Sequence, residues 1–117
     1  MINVVSSSRY KINRKEIKNQ TTDFLEKAGY HEQYLLNIVF VGRNKMKSVS
    51  QKYKKEPVAL PVLAFPYNEI NNQDEKFLGE IILCYPQVIL LAAERNKKVD
   101  DMILKLIQHG INNLLNN

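Results

Sequence analysis

The chain has 117 residues, which fits one domain, since a typical domain runs to about 100–150 residues. Its 44% hydrophobic and 25% charged residues are ordinary for a globular fold and exclude wholesale disorder. A single cysteine, Cys84, excludes a disulfide scaffold and fits a reducing compartment, while the net charge of +5 raises the question of a polyanionic partner.

Taken in chain order, Ile2–Val5 is a short β-branched run suited to an edge strand. The opening MINVVSSSRY has no basic lead-in, so no signal peptide is expected and the cytoplasm is the expected compartment. From Asn13 to Ala28, Ile17, Phe24, Leu25 and Ala28 trace one helical stripe, and Gly29 suits the stop. Leu35–Val41 is nearly continuous and apolar, the pattern of a buried strand, and it ends at Gly42. Asn44–Lys55 carries Met46, Val49 and Tyr53 at i, i+3 and i+7, which predicts an amphipathic helix closed by Pro57. Val62–Tyr67 is extended between Pro61 and Pro66, and Asn68–Lys76 is a polar loop. Phe77–Tyr85 predicts a second buried strand, and Pro86 the first turn of a helix running to about Asn96. The apolar stretch Ile81–Ala93 is interrupted by Pro86 and Gln87 and falls short of the roughly 20 residues of a membrane span, so no membrane partner is expected. A last helix opens at Val99 or Asp100, with Ile103, Leu106, Ile107, Gly110 and Leu114 along one face. The order predicts an α+β domain over 1–117, a small mixed sheet of about four strands packed with about four helices.

The charge is unevenly placed. Residues 1–56 hold 12 Lys and Arg against 5 Asp and Glu, whereas residues 57–117 hold 5 against 7. Arg43, Lys45, Lys47, Lys52, Lys54 and Lys55 follow one another with no acid before Glu56, and Arg9, Lys11, Arg14, Lys15 and Lys18 form a second cluster. Cations in such runs release condensed counterions when they meet phosphates, so the first run is the candidate RNA-binding set. The alternative is a solvated helix face with no partner.

Three segments stand in a telling order: Pro61-Val-Leu-Ala-Phe-Pro66, then Leu78-Gly-Glu-Ile-Ile-Leu-Cys84, then His109-Gly110 inside an apolar helix. Together they resemble the YbeY family of bacterial rRNA maturation factors, single-strand-specific, metal-dependent endoribonucleases. The resemblance covers nearly all of the chain and implies a YbeY-like, zincin-like architecture. It implies rRNA or the small ribosomal subunit as partner, without DNA specificity, and zinc as the family's cofactor. In that family two His at i and i+4 of a helix share one face and, with a third His, hold a metal whose bound water is activated for hydrolysis.

By the same resemblance His109 occupies the first ligand position and Asn113 the second, and the third lies past Asn117. The family's arginine of Y-R-G corresponds to Lys54, its strand serine to Ala64, and its Gly-Asp to Gly79-Glu80. An amide oxygen is a poor zinc ligand beside imidazole or thiolate, so no stably bound zinc is expected. Read without the resemblance, His109 is a hydrogen-bonded core or rim residue bordering the groove between its helix and the Leu78–Cys84 strand, and its loss should cost about 1–3 kcal/mol. His31 reads as a solvent-facing loop residue and Cys84 as a small buried hydrophobe.

Three functions stay open. One is a YbeY-like protein that binds rRNA through its basic face with hydrolysis lost or weakened. Another is an active hydrolase with His109, Glu80 and Asn113 around a weakly held metal, or with ligands lent by a second chain. The third is a purely structural or protein-interaction domain.

Overall fold

A computed structural model describes residues 1–31, 34–66 and 77–116. Strands β1 (Ile2–Val5), β2 (Leu35–Val41), β3 (Val62–Pro66) and β4 (Phe77–Cys84) form one sheet in the order β1-β2-β4-β3. The β1–β2 and β2–β4 pairs are parallel and β3 runs antiparallel to β4, so β1 and β3 are the edges. Parallel neighbours require crossover connections. Helix α1 (Arg14–Lys27) supplies the first, and α2 (Arg43–Lys54) followed by β3 the second. Helices α3 (Tyr85–Glu94) and α4 (Val99–Leu115) complete the α+β domain that the sequence predicts.

Strand alternation sorts the helices onto two faces. Leu36, Ile38 and Phe40 of β2 and Ile81 and Leu83 of β4 point into the main core, with α1, α3 and α4. Ile82 and Cys84 point the other way and, with Leu63 and Phe65 of β3, pack under Met46 of α2. Over Ile81–Cys84 the interior strand β4 is therefore apolar on both sides, as expected where a strand is covered on both faces.

Helix ends follow local chemistry. Asn13 caps α1, its side-chain oxygen accepting from the Glu16 amide at 3.0 Å, and Gly29 leaves the helix at φ 93°. Helix α2 ends at Lys54, within one residue of the expected end at Lys55. Lys55 takes a left-handed conformation (φ 58°), and the Glu56 amide reaches back to the Ser50 carbonyl at 3.5 Å, so the turn closes before proline acts. The expected strand end at Tyr85 is corrected. Tyr85 opens α3 because Pro86 fits a first helical turn, and its ring stacks on Tyr10 at 4.6 Å while its hydroxyl donates to the Lys11 carbonyl at 3.1 Å. The expected stripe of α4 is buried throughout, from Ile103 to Leu114. The loop expected over 68–76, with position 67, lies outside the described residues.

Two glycines set how closely the site-bearing elements approach. A Cβ on Gly110 would stand 3.1 Å from Ile81 side-chain atoms, so α4 lies directly on β4. A Cβ on Gly79 (φ 151°) would stand 2.3 Å from the Phe65 carbonyl oxygen and 2.9 Å from Leu114. That position admits only glycine.

Candidate nucleic-acid interface

The last two turns of α4 meet the β3 edge and the end of α2 around a cavity of about 540 Å³. Lys54 and Tyr53 form its α2 wall, Val62 and Ala64 belong to its β3 floor, and Asn113 and Asn116 close it from α4. The sequence places Lys54 and Asn113 far apart, yet the fold brings them to one cavity. Tyr53, placed by its spacing on the apolar stripe of an amphipathic helix, is 46% exposed and stands as a wall with its ring 4.6 Å from that of Phe65. Asn116 was not a sequence candidate. Its only signal is its place one turn after Asn112 and Asn113 on an amphipathic helix.

His109 sits on the exposed side of α4, one turn before Asn113, and is not among the cavity's lining residues. The expected position between α4 and β4 is thus corrected. Gly110 and Ile111 occupy the inward positions there, leaving His109 to solvent.

Glu80 is not brought to His109. It shares the orientation of Ile82 and Cys84, so it faces the α2 side of the sheet, whereas α4 covers the side carrying Ile81 and Leu83. Its own surroundings are a second cavity of about 280 Å³, where Lys45 and Lys52 stand with Tyr53 and Phe65.

All six cations of the α2 run are exposed. Helical spacing splits them: Lys45 and Lys52, two turns apart, flank Glu80, while Arg43, Lys47 and Lys54 lie along the other flank. Arg43 donates to Gln87 Oε1 at 3.2 Å. Among the described residues the one ion pair is Lys27–Asp23, so the run carries its charge outward. The N-terminal cluster is partly structural, because the Arg14 guanidinium donates to the Val4 carbonyl of β1 and to the Ser6 carbonyl just after it.

The family model described as endoribonuclease YbeY matches residues 3–116. The chain belongs to the endoribonuclease YbeY family. An endoribonuclease YbeY of Thermodesulfovibrio yellowstonii is 36% identical over 81 residues, 69% of this chain and 51% of the relative. That of Cutibacterium acnes is 28% identical over 121 residues, 98% of this chain and 78% of the relative. A Wigglesworthia glossinidia brevipalpis endoribonuclease YbeY is 31% identical over 80 residues, 53% of its length, so the chain spans about half the length of the first of these curated relatives. The solution structure of a Thermotoga maritima protein superimposes with a TM-score of 0.67 at 22% identity, covering 95% of this chain and 69% of that one, which shows the shared fold.

The resemblance implies a zinc site, and the donors among the described residues do not gather into one. Among the described residues no three His, Cys, Asp or Glu side chains gather where they could hold a metal. On the relevant face of α4 stand one imidazole, His109, and one amide, Asn113, and an amide oxygen is a weak partner for zinc. Glu80 and Cys84 lie across the sheet. His31 is exposed beside a separate cavity lined by Met1 and Tyr30. Cys84 is fully buried, and burial pushes its thiol above the usual range, against the smaller opposing effects of the Gln87 amide and Arg43. No described helix is long and apolar enough to cross a membrane.

Proposed function

We propose that this chain is a cytoplasmic bacterial rRNA maturation factor that binds single-stranded rRNA of the small ribosomal subunit, with hydrolysis lost or strongly reduced. One observation carries the reading: Lys54, at the end of the exposed basic helix, lines the same cavity as Asn113 and Asn116. A strand whose phosphates follow α2 would enter that cavity directly, with the Tyr53 ring offering a stacking face. Family membership supports RNA as the ligand. That no three metal donors gather among the described residues supports weak hydrolysis. An active metal site built on His109, Glu80 and Asn113 has no support from the fold, since Glu80 faces away from the other two.

Fluorescence anisotropy with single-stranded oligoribonucleotides tests the binding. Affinity should fall steeply with salt, with a log–log slope of about −0.7 for each phosphate contact. Replacing Lys54 and Lys55 by Glu should weaken binding to every sequence alike, because phosphate contacts carry no sequence information. Binding indifferent to salt and to this double change would leave a structural domain as the better reading.

A further inference from the structure

The α2 face of the sheet is unevenly covered. Met46 seals the end carrying Ile82 and Cys84. Toward the opposite end, register aligns a row across all four strands: Asn3 pairs with Asn37, Asn37 with Glu80, and Glu80 with Phe65. Asn3, Asn37 and Glu80 are each only half-buried, and the Asn3 amide donates to Asn37 Oδ1 at 3.1 Å. A carboxylate on the interior strand of a sheet is a costly choice if it only faces solvent beside apolar neighbours. Here it stands in the 280 Å³ cavity between Lys45 and Lys52, and among the described residues neither comes within ion-pair distance of it. Tyr53 and Phe65 border both this cavity and the larger one that holds Lys54 and Asn113, so the two are consecutive along one path.

We infer that the Glu80 cavity is a base-reading subsite selective for guanine in single-stranded RNA; this rests on the RNA-binding reading above and adds sequence preference to it. The chemistry singles out one base. A carboxylate has only acceptors, and guanine alone presents two adjacent donors on its Watson–Crick edge, N1–H and the 2-amino group, beside an O6 acceptor. Glu80 accepts from the two donors, and the ammonium of Lys45 or Lys52 donates to O6. Adenine and cytosine set a ring-nitrogen acceptor beside their amino group, which a carboxylate repels, and uracil flanks its single N–H with carbonyls. Tyr53 supplies the aromatic face on which an unstacked base rests. Lys52 Nζ lies 5.3 Å from the same ring, placing a cation for the adjoining phosphate.

The test uses the full chain and labelled uridine heptamers with one central guanosine, inosine, adenosine or cytidine. The guanosine oligomer should bind about tenfold tighter than the adenosine and cytidine ones, and inosine, which lacks the 2-amino donor, should fall between. Glu80→Gln should bring the guanosine-to-adenosine ratio to within about twofold while the salt slope persists. The inosine comparison needs no variant and so does not depend on how Glu80→Gln folds. Wild-type protein that binds all four oligomers alike, with the expected salt dependence, overturns the subsite and leaves RNA binding standing. A preference that survives Glu80→Gln also overturns it. Absence of salt-dependent binding to any oligomer overturns both readings.

Discussion

Replacing Gly79 by Ala is the most demanding test of how the candidate site is held. Position 79 has φ 151°, a region essentially closed to residues with a Cβ, and holding alanine there costs about 1–3 kcal/mol. The new methyl would meet the Phe65 carbonyl at 2.3 Å and Leu114 Cδ2 at 2.9 Å. Leu114 can turn away, but Phe65 is backbone in the strand paired with β4, so β3 must shift, adding about 1–3 kcal/mol of overpacking. The sum is about 2–6 kcal/mol, a large share of the roughly 5–15 kcal/mol that stabilises a domain.

Gly110→Ala provides the control. Its methyl would meet only the Ile81 side chain, at 3.1–3.3 Å, and a helical Ala gains about 1 kcal/mol over Gly, so its net cost should stay below about 2 kcal/mol. Urea unfolding followed by circular dichroism, with midpoint and slope fitted for both variants, measures the difference. RNA affinity of folded Gly79→Ala protein should also drop, because β3 is the floor of the Lys54–Asn113 cavity. A Gly79→Ala cost under 1 kcal/mol, or one smaller than that of Gly110→Ala, would refute the reasoning.

Other expectations are simpler to check. Thr21 Oγ1 is buried without a hydrogen-bond partner, so the near-isosteric Thr21→Val should raise the urea midpoint, by about 1 kcal/mol of stability. His109 is exposed, so His109→Ala should change thermal stability by no more than about 0.5 kcal/mol, in place of the 1–3 kcal/mol expected of a buried histidine. Purified protein should carry well under one zinc per chain by elemental analysis, and Asn113→His should raise this little, because no other His, Cys, Asp or Glu among the described residues gathers with that pair. The Cys84 thiol has a raised folded-state pKa, so the stability it confers is complete below the ordinary thiol range and is lost as pH rises through the raised value. Unfolding midpoints should therefore fall above about pH 8.5 in wild type and less so in Cys84→Ala, and iodoacetamide should label Cys84 only on unfolding.

Most of the fold was legible because each element carries its own period. The α4 stripe and the β2 run mark a helix and a strand without reference to anything distant. The strand end at Tyr85 was missed because Pro86 draws Tyr85 into the first turn of α3, where its ring stacks on Tyr10. Site geometry was harder to foresee, for a physical reason. A strand reverses its side chains at every residue, so Glu80 and Ile81 lie on opposite faces though adjacent in the chain. Assigning Glu80 to His109 required knowing which face each helix covers, and that depends on crossovers rather than on any local pattern. Tyr53 shows a similar limit, since apolar spacing cannot distinguish a core position from the exposed wall of a cleft.

The motif that ties this chain to its family divides physically into scaffold and chemistry. Gly79 and Gly110 are fixed by contact distances: one lets β3 close on β4, the other lets α4 lie on Ile81. His109 and Asn113 point to solvent, and packing places no demand on them. A side chain there can change to an amide at almost no cost in stability, whereas Gly79 cannot change without moving β3, the floor of the cavity. Lys54 belongs with the exposed set, since its charge rather than its shape meets the cavity. Conversion of a hydrolase site into a binding site along this path would therefore leave the fold intact.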